Sequence, residues 1–150
     1  KMRDSKIGSY GVLAILLITL IKWNAIITLA TGKPYEIAIL SIICAHSLSR
    51  FSIIVIPYFS IPASDEGLAR YAGKPETRGV IGGFLLTSFL IFLLLPFDQA
   101  ILSAVLAILV AGVVGLLANF QIKGYTGDIL GAAQQVSEAT VLVYLASSSS

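Results

Sequence analysis

Apolar residues fill five long stretches of this chain, roughly Gly8 to Leu29, Ile37 to Ile61, Val80 to Pro96, Ala100 to Phe120 and Asp128 to Ala146. A hydrocarbon core about 30 Å thick takes about 20 residues of helix, and each stretch comes close to that length. The pattern predicts an all-α fold: a polytopic transmembrane helical bundle with about five spans, forming a single integral membrane domain over residues 1–150. The fifth stretch is the most polar, interrupted by Asp128, Gln134, Gln135 and Glu138. Its Gly131, Ala132, Ala133 and Ala139 suit close packing inside a bundle. Gly131 and the paired glutamines leave open whether that helix runs unbroken.

Composition strengthens the bilayer assignment. Of 150 residues, 57% are hydrophobic and only 12% charged, with a mean hydropathy of +0.92, whereas soluble domains carry about 25% charged residues. A water-soluble fold of this size buries about 70% of its unfolded surface, so the apolar excess needs lipid as a second solvent. A formal charge of +2 gives no footprint for nucleic acid. The single cysteine, Cys44, has no internal disulfide partner and reads as a small core residue. No cleavable secretory signal is visible. Lys1 precedes Met2, as in a segment of a longer chain, and neither Lys1 nor the closing Ser147–Ser150 run carries structural weight.

The placement of charge gives an orientation. Five alternating spans bring the N-terminal segment, the Pro62–Gly79 loop and the Gln121–Gly127 loop to one side, with Lys1, Arg3, Lys6, Arg70, Lys74, Arg78 and Lys123. The opposite loops hold Lys33 with Glu36 and Asp98, and Lys22 beside Trp23 reads as an interfacial anchor near that face. By the positive-inside rule the charged side is cytoplasmic and the C-terminus lies across the membrane.

Several polar residues fall where lipid disfavours them. His46 and Arg50 lie near mid-depth of the second span, four residues apart on one helix face. A charge at the bilayer centre costs about 2.5–3.5 kcal/mol, so these groups should face the bundle or a wet cavity. His46 suits either hydrogen-bonded packing or contact with a substrate oxygen. Arg50 stays charged and calls for a carboxylate or a phosphate. Asp128, Gln135 and Glu138 share a face of the fifth span, with Glu138 about 15 Å deeper than Asp128, too far to share one metal. Asp128 fits two roles, a helix N-cap completed by Thr126 and Gly127, or a carboxylate that holds a divalent cation where glycine lets backbone N–H groups approach a phosphate.

Three motifs then stand in order. Met2–Val12 resembles the M-[KR]-D-S-x-[IL]-G-x-[YF]-G element of cobalamin synthase, the adenosylcobinamide-GDP ribazoletransferase family. Ala45–Arg50 resembles its A-H-x-x-[GS]-R element, and Gly124–Ala132 its G-x-[TN]-G-D-x-L-G-A element, with Glu138 matching the acidic residue that follows. The three cover essentially the whole chain. The family's upstream D-G-x-x-D-x-x-D-[GA] stretch has no counterpart here, so the resemblance is to the C-terminal part, and this segment alone should be inactive.

The resemblance implies a magnesium-dependent transferase of cobalamin biosynthesis in the prokaryotic inner membrane. It would join adenosylcobinamide-GDP to α-ribazole or its 5′-phosphate with release of GMP, with its polar site on the cytoplasmic side. It further implies Asp128 and Asp4 as magnesium ligands and Asp128, Arg50 and His46 as the catalytic set. Lys1, Arg3, Asp4, Ser5 and Gly127 would bind substrate, and Glu138 would brace Arg50. Membrane lipid is an expected partner, nucleic acid is not, and self-association is left open. The rival reading is a segment of an ion or small-solute transporter, since intramembrane His, Arg and Glu also mark ion pathways. No internal repeat supports it, and the opposite face is nearly bare of polar groups.

Overall fold

Two residue–proline pairs set one end of the molecule. Lys33–Pro34 separates α1 (Ser9–Gly32) from α2 (Tyr35–Phe59), and Leu95–Pro96 separates α3 (Thr77–Leu94) from α4 (Phe97–Ile122). Proline drives the residue before it out of helical conformation, while its own fixed φ suits entry into the next helix. Lys33 and Leu95 accordingly stand extended, at φ −130° and −116°. The other end holds the longer connections, from α2 to α3 and from α4 to α5 (Gly127–Ser147). All the room for a site in loops therefore lies at one end, termed the near end. The computed structural model of the chain describes residues 8–63 and 73–148.

All five helices are long and apolar enough to cross a membrane, and each matches a predicted span to within a few residues. No β-strand occurs among the described residues. The fifth helix runs unbroken through Gly131 and both glutamines.

The most polar helix takes the middle of the bundle. α5 packs on α1, α2 and α4, whereas α3 leans chiefly on α2. This placement shields Ser137 and Glu138, both buried, from lipid that could not solvate them. Ser137 Oγ donates to the carbonyl of Ala107 in α4 at 3.5 Å. Small side chains line the contacts: Ala25, Ala45, Ala107, Ala133 and Ala139 are buried, and Cys44 is a free buried thiol among them. Leu20, Trp23, Leu86, Phe89 and Leu116 point outward, as lipid-facing residues should.

At the near end the chain crosses itself closely. α4 ends on Lys123 in left-handed conformation, φ 55°. Tyr125 then donates its N–H to the Ile61 carbonyl at 3.0 Å and accepts from the Ala63 N–H at 2.9 Å. Between them, a Cβ on Gly124 would stand 2.5 Å from the Ile61 oxygen and 2.8 Å from the Ala63 nitrogen. Backbone atoms held by two hydrogen bonds cannot yield as a side-chain tip would. Gly124→Ala is expected to cost the intact protein about 1–3 kcal/mol, read as a lower midpoint of unfolding in sodium dodecyl sulfate. Gly127→Ala is the matched control, because a Cβ there meets nothing within 4 Å. Equal midpoints for the two would contradict this account of the crossing.

Candidate functional site

The site begins at the first turn of α5. Thr126, extended at φ −125°, is the N-cap, and its Oγ1 accepts from the Ile129 N–H at 3.4 Å. Asp128 is therefore not the cap, which corrects that reading: threonine two residues earlier has the extended backbone and the hydroxyl that capping needs. Asp128 sits in the first turn with its side chain exposed, where the positive end of the helix dipole favours a carboxylate. Gly127 beside it faces open space. Tyr125 is buried just before the turn, and loss of solvent pushes its phenol above the usual value, which favours the neutral form.

A second polar group lies deeper. Lys22 Nζ in α1 meets Glu138 Oε1 at 2.5 Å and donates to Gln135 Oε1 at 3.0 Å. His46 Nδ1 stands 3.7 Å from the same Glu138 oxygen, too far for a hydrogen bond. The Glu138 side chain is only 3% exposed and that of Lys22 20%. Two expectations are corrected here. Lys22 is not an interfacial anchor, because it lies near the middle of the 24-residue α1 and bonds inward across the bundle. Glu138 does not brace Arg50, because its carboxylate is committed to Lys22. The usable sequence signal was depth: a lysine and a glutamate, each near the middle of its span, are natural partners in lipid.

Arg50 and His46 both present exposed side chains on α2, and Arg50 has no ion-pair partner among the described residues. Glu138 and the His46 beside it lie about 15 Å along the axis from Asp128, ten residues at 1.5 Å each, and Arg50 lies about one turn nearer the Asp128 level. The fold thus gathers Lys22, Gln135, Glu138 and His46 at mid-depth and sets Asp128 and Gly127 apart at the near end. Among the described residues no group of three His, Cys, Asp or Glu could hold a metal ion, so Asp128 offers a single carboxylate. Lys1, Arg3, Asp4 and Ser5 lie outside the described residues.

Comparison with known proteins bears on what this arrangement serves. The family model described as cobalamin-5-phosphate synthase matches residues 2–146. The adenosylcobinamide-GDP ribazoletransferase of Bradyrhizobium diazoefficiens is 34% identical over 145 residues, covering 97% of this chain and 55% of that protein. The proteins of the same name from Shewanella pealeana and Mesorhizobium japonicum are each 37% identical, over 147 and 142 residues, or 56% and 53% of their lengths. The chain thus spans about half the length of the curated relatives it matches. No solved structure matches it.

Proposed function

Since the chain belongs to the cobalamin-5-phosphate synthase family, we propose that it supplies part of a membrane transferase that joins adenosylcobinamide-GDP to α-ribazole or its 5′-phosphate and releases GMP. The observation that carries the site is the open first turn of α5, with Asp128 exposed beside Gly127. Displacing GMP at a pyrophosphate requires neutralised phosphoryl oxygens and an aligned entering hydroxyl. The unpaired backbone N–H groups of that turn, at the positive end of the helix dipole, suit a phosphate.

Asp128 fits magnesium, which commonly takes one or two carboxylates and completes its shell with substrate phosphates and water. When bound there, the ion would neutralise phosphoryl charge. Arg50, exposed and without a described partner, is assigned to a more deeply placed anionic group of substrate, where its planar fork accepts two oxygens. His46 is assigned to hydrogen-bonding a substrate oxygen at that depth, with Lys1, Arg3, Asp4 and Ser5 binding substrate at the near end. The polar side is assigned to the cytoplasmic face of the inner membrane, on the basic residues gathered there.

The test is GMP release by the full-length protein in lipid, with adenosylcobinamide-GDP, α-ribazole and magnesium each omitted in turn. Release that needs all three is expected. A folded preparation that releases none, yet passes an ion or solute across liposomes, would favour the transporter reading instead.

A further inference from the structure

The seam between α2 and α4 is open to the side. α3 and α4 make few contacts with each other, so the two splay apart and expose a groove floored by α2. Its deeper part runs past Leu48, Ser52 and Ala107, and it continues through Val55 and Ala111. Toward the near end it widens to a cavity of about 310 Å³ that ends against Ser60 and Asn119, which are joined by Asn119 Nδ2 donating to Ser60 Oγ at 2.9 Å. Gly112 leaves the α4 side of the groove bare, since a Cβ there would meet nothing within 4 Å. The groove is mainly apolar, with the hydroxyls of Ser52, Thr87 and Ser88 in its deeper part and Ser60 and Asn119 where it reaches the membrane surface.

Three cations stand at the same end of the bundle. Lys123 caps α4 one turn beyond Asn119, and Arg78 lies in the first turn of α3. Lys74 lies over the Tyr58 ring at 5.1 Å, and the Tyr58 hydroxyl is 3.3 Å from Thr77 Oγ1 at the start of α3. Glu76, the α3 N-cap, is the one described acid on these three helix ends. Lys74, Arg78 and Lys123 are all exposed.

We propose that this groove is a binding site for an anionic phospholipid, with an acyl chain lying along α2 and α4 and the phosphate headgroup among Lys74, Arg78 and Lys123. The groove opens toward lipid rather than toward Asp128, and its lining has no group for chemistry, so the lipid is a bound structural ligand. Each cation near a headgroup contributes about 1 kcal/mol, or roughly fivefold in affinity. The inference does not depend on the transferase reading.

Native mass spectrometry of the intact protein, released from mixed micelles, measures retention of phosphatidylglycerol against phosphatidylcholine with the same chains. Retention of phosphatidylglycerol about fivefold or more above phosphatidylcholine is expected, and the double variant Arg78→Gln, Lys123→Asn should abolish the preference. Asparagine tolerates the left-handed backbone at 123. Gly112→Leu, which fills the groove with an apolar side chain, should reduce retention of both lipids. Equal retention of the two lipids by the unaltered protein, or retention of both untouched by Gly112→Leu, would overturn the site. Inorganic phosphate at millimolar concentration should leave retention unchanged; displacement by phosphate alone would show an anion site without an acyl groove and overturn it equally.

Discussion

Removing either charge of the Lys22–Glu138 pair is expected to destabilise the intact protein by about 3–5 kcal/mol, while removing both is expected to cost far less. The asymmetry follows from the solvent. The pair spans α1 and α5 at mid-depth with a 2.5 Å contact, and Glu138 is almost fully buried. Lys22→Met leaves a buried carboxylate with His46, at 3.7 Å, as its remaining ion-pair partner among the described residues, and Glu138→Met leaves a lysine that the Gln135 oxygen cannot neutralise. With both replaced by methionine, no charge is stranded and two flexible apolar side chains fill the space. The measurement is the unfolding midpoint in sodium dodecyl sulfate for the two single variants and the double variant, treated as a cycle. Independent, additive losses would show that the two charges do not stabilise each other and would remove the link between α1 and α5.

That pair marks the limit of what the sequence shows. The helices were legible because lipid allows few alternatives: an apolar run of spanning length must satisfy its own backbone. The far-end turns were legible to within a few residues from the ends of the apolar runs, and Pro34 and Pro96 fix them more closely. Lys22 and Glu138, by contrast, are separated by almost the whole chain, and no periodicity connects two residues on different helices. A lysine beside Trp23 resembles an interfacial anchor until the packing of α1 against α5 is known. The cap was misread for a nearer reason: Thr126 and Asp128 are both good capping residues, and only the extended backbone at Thr126 decides between them. Gly124 stood out as a motif glycine, but its physical need comes from the Ile61–Ala63 backbone pressed against it, which is a tertiary fact. Asp128 and Arg50 were legible as unusual residues; the axial separation between Asp128 and His46 emerged only once α2 and α5 were seen to pack with His46 at the level of Glu138.

Asp128→Asn in the full-length enzyme is expected to lower GMP release by about 10²–10³-fold, the loss typical of removing one group that stabilises charge in a transition state. The substitution keeps shape and hydrogen-bonding reach but removes the negative charge that a hard divalent cation requires. Folding should be nearly untouched, because the side chain is exposed and Thr126 rather than Asp128 caps the helix. Only the favourable contact with the helix dipole is lost, about 0.3–1 kcal/mol. Two readings of the same variant separate the explanations. A magnesium-binding role requires the residual activity to need more magnesium for half-maximal rate, while the unfolding midpoint stays close to that of the unaltered protein. A dipole or packing role would lower the midpoint and leave the magnesium dependence where it was. Full turnover with ordinary magnesium dependence would remove Asp128 from the site and shift attention to Arg50, whose replacement by glutamine should weaken substrate binding without altering the response to the metal.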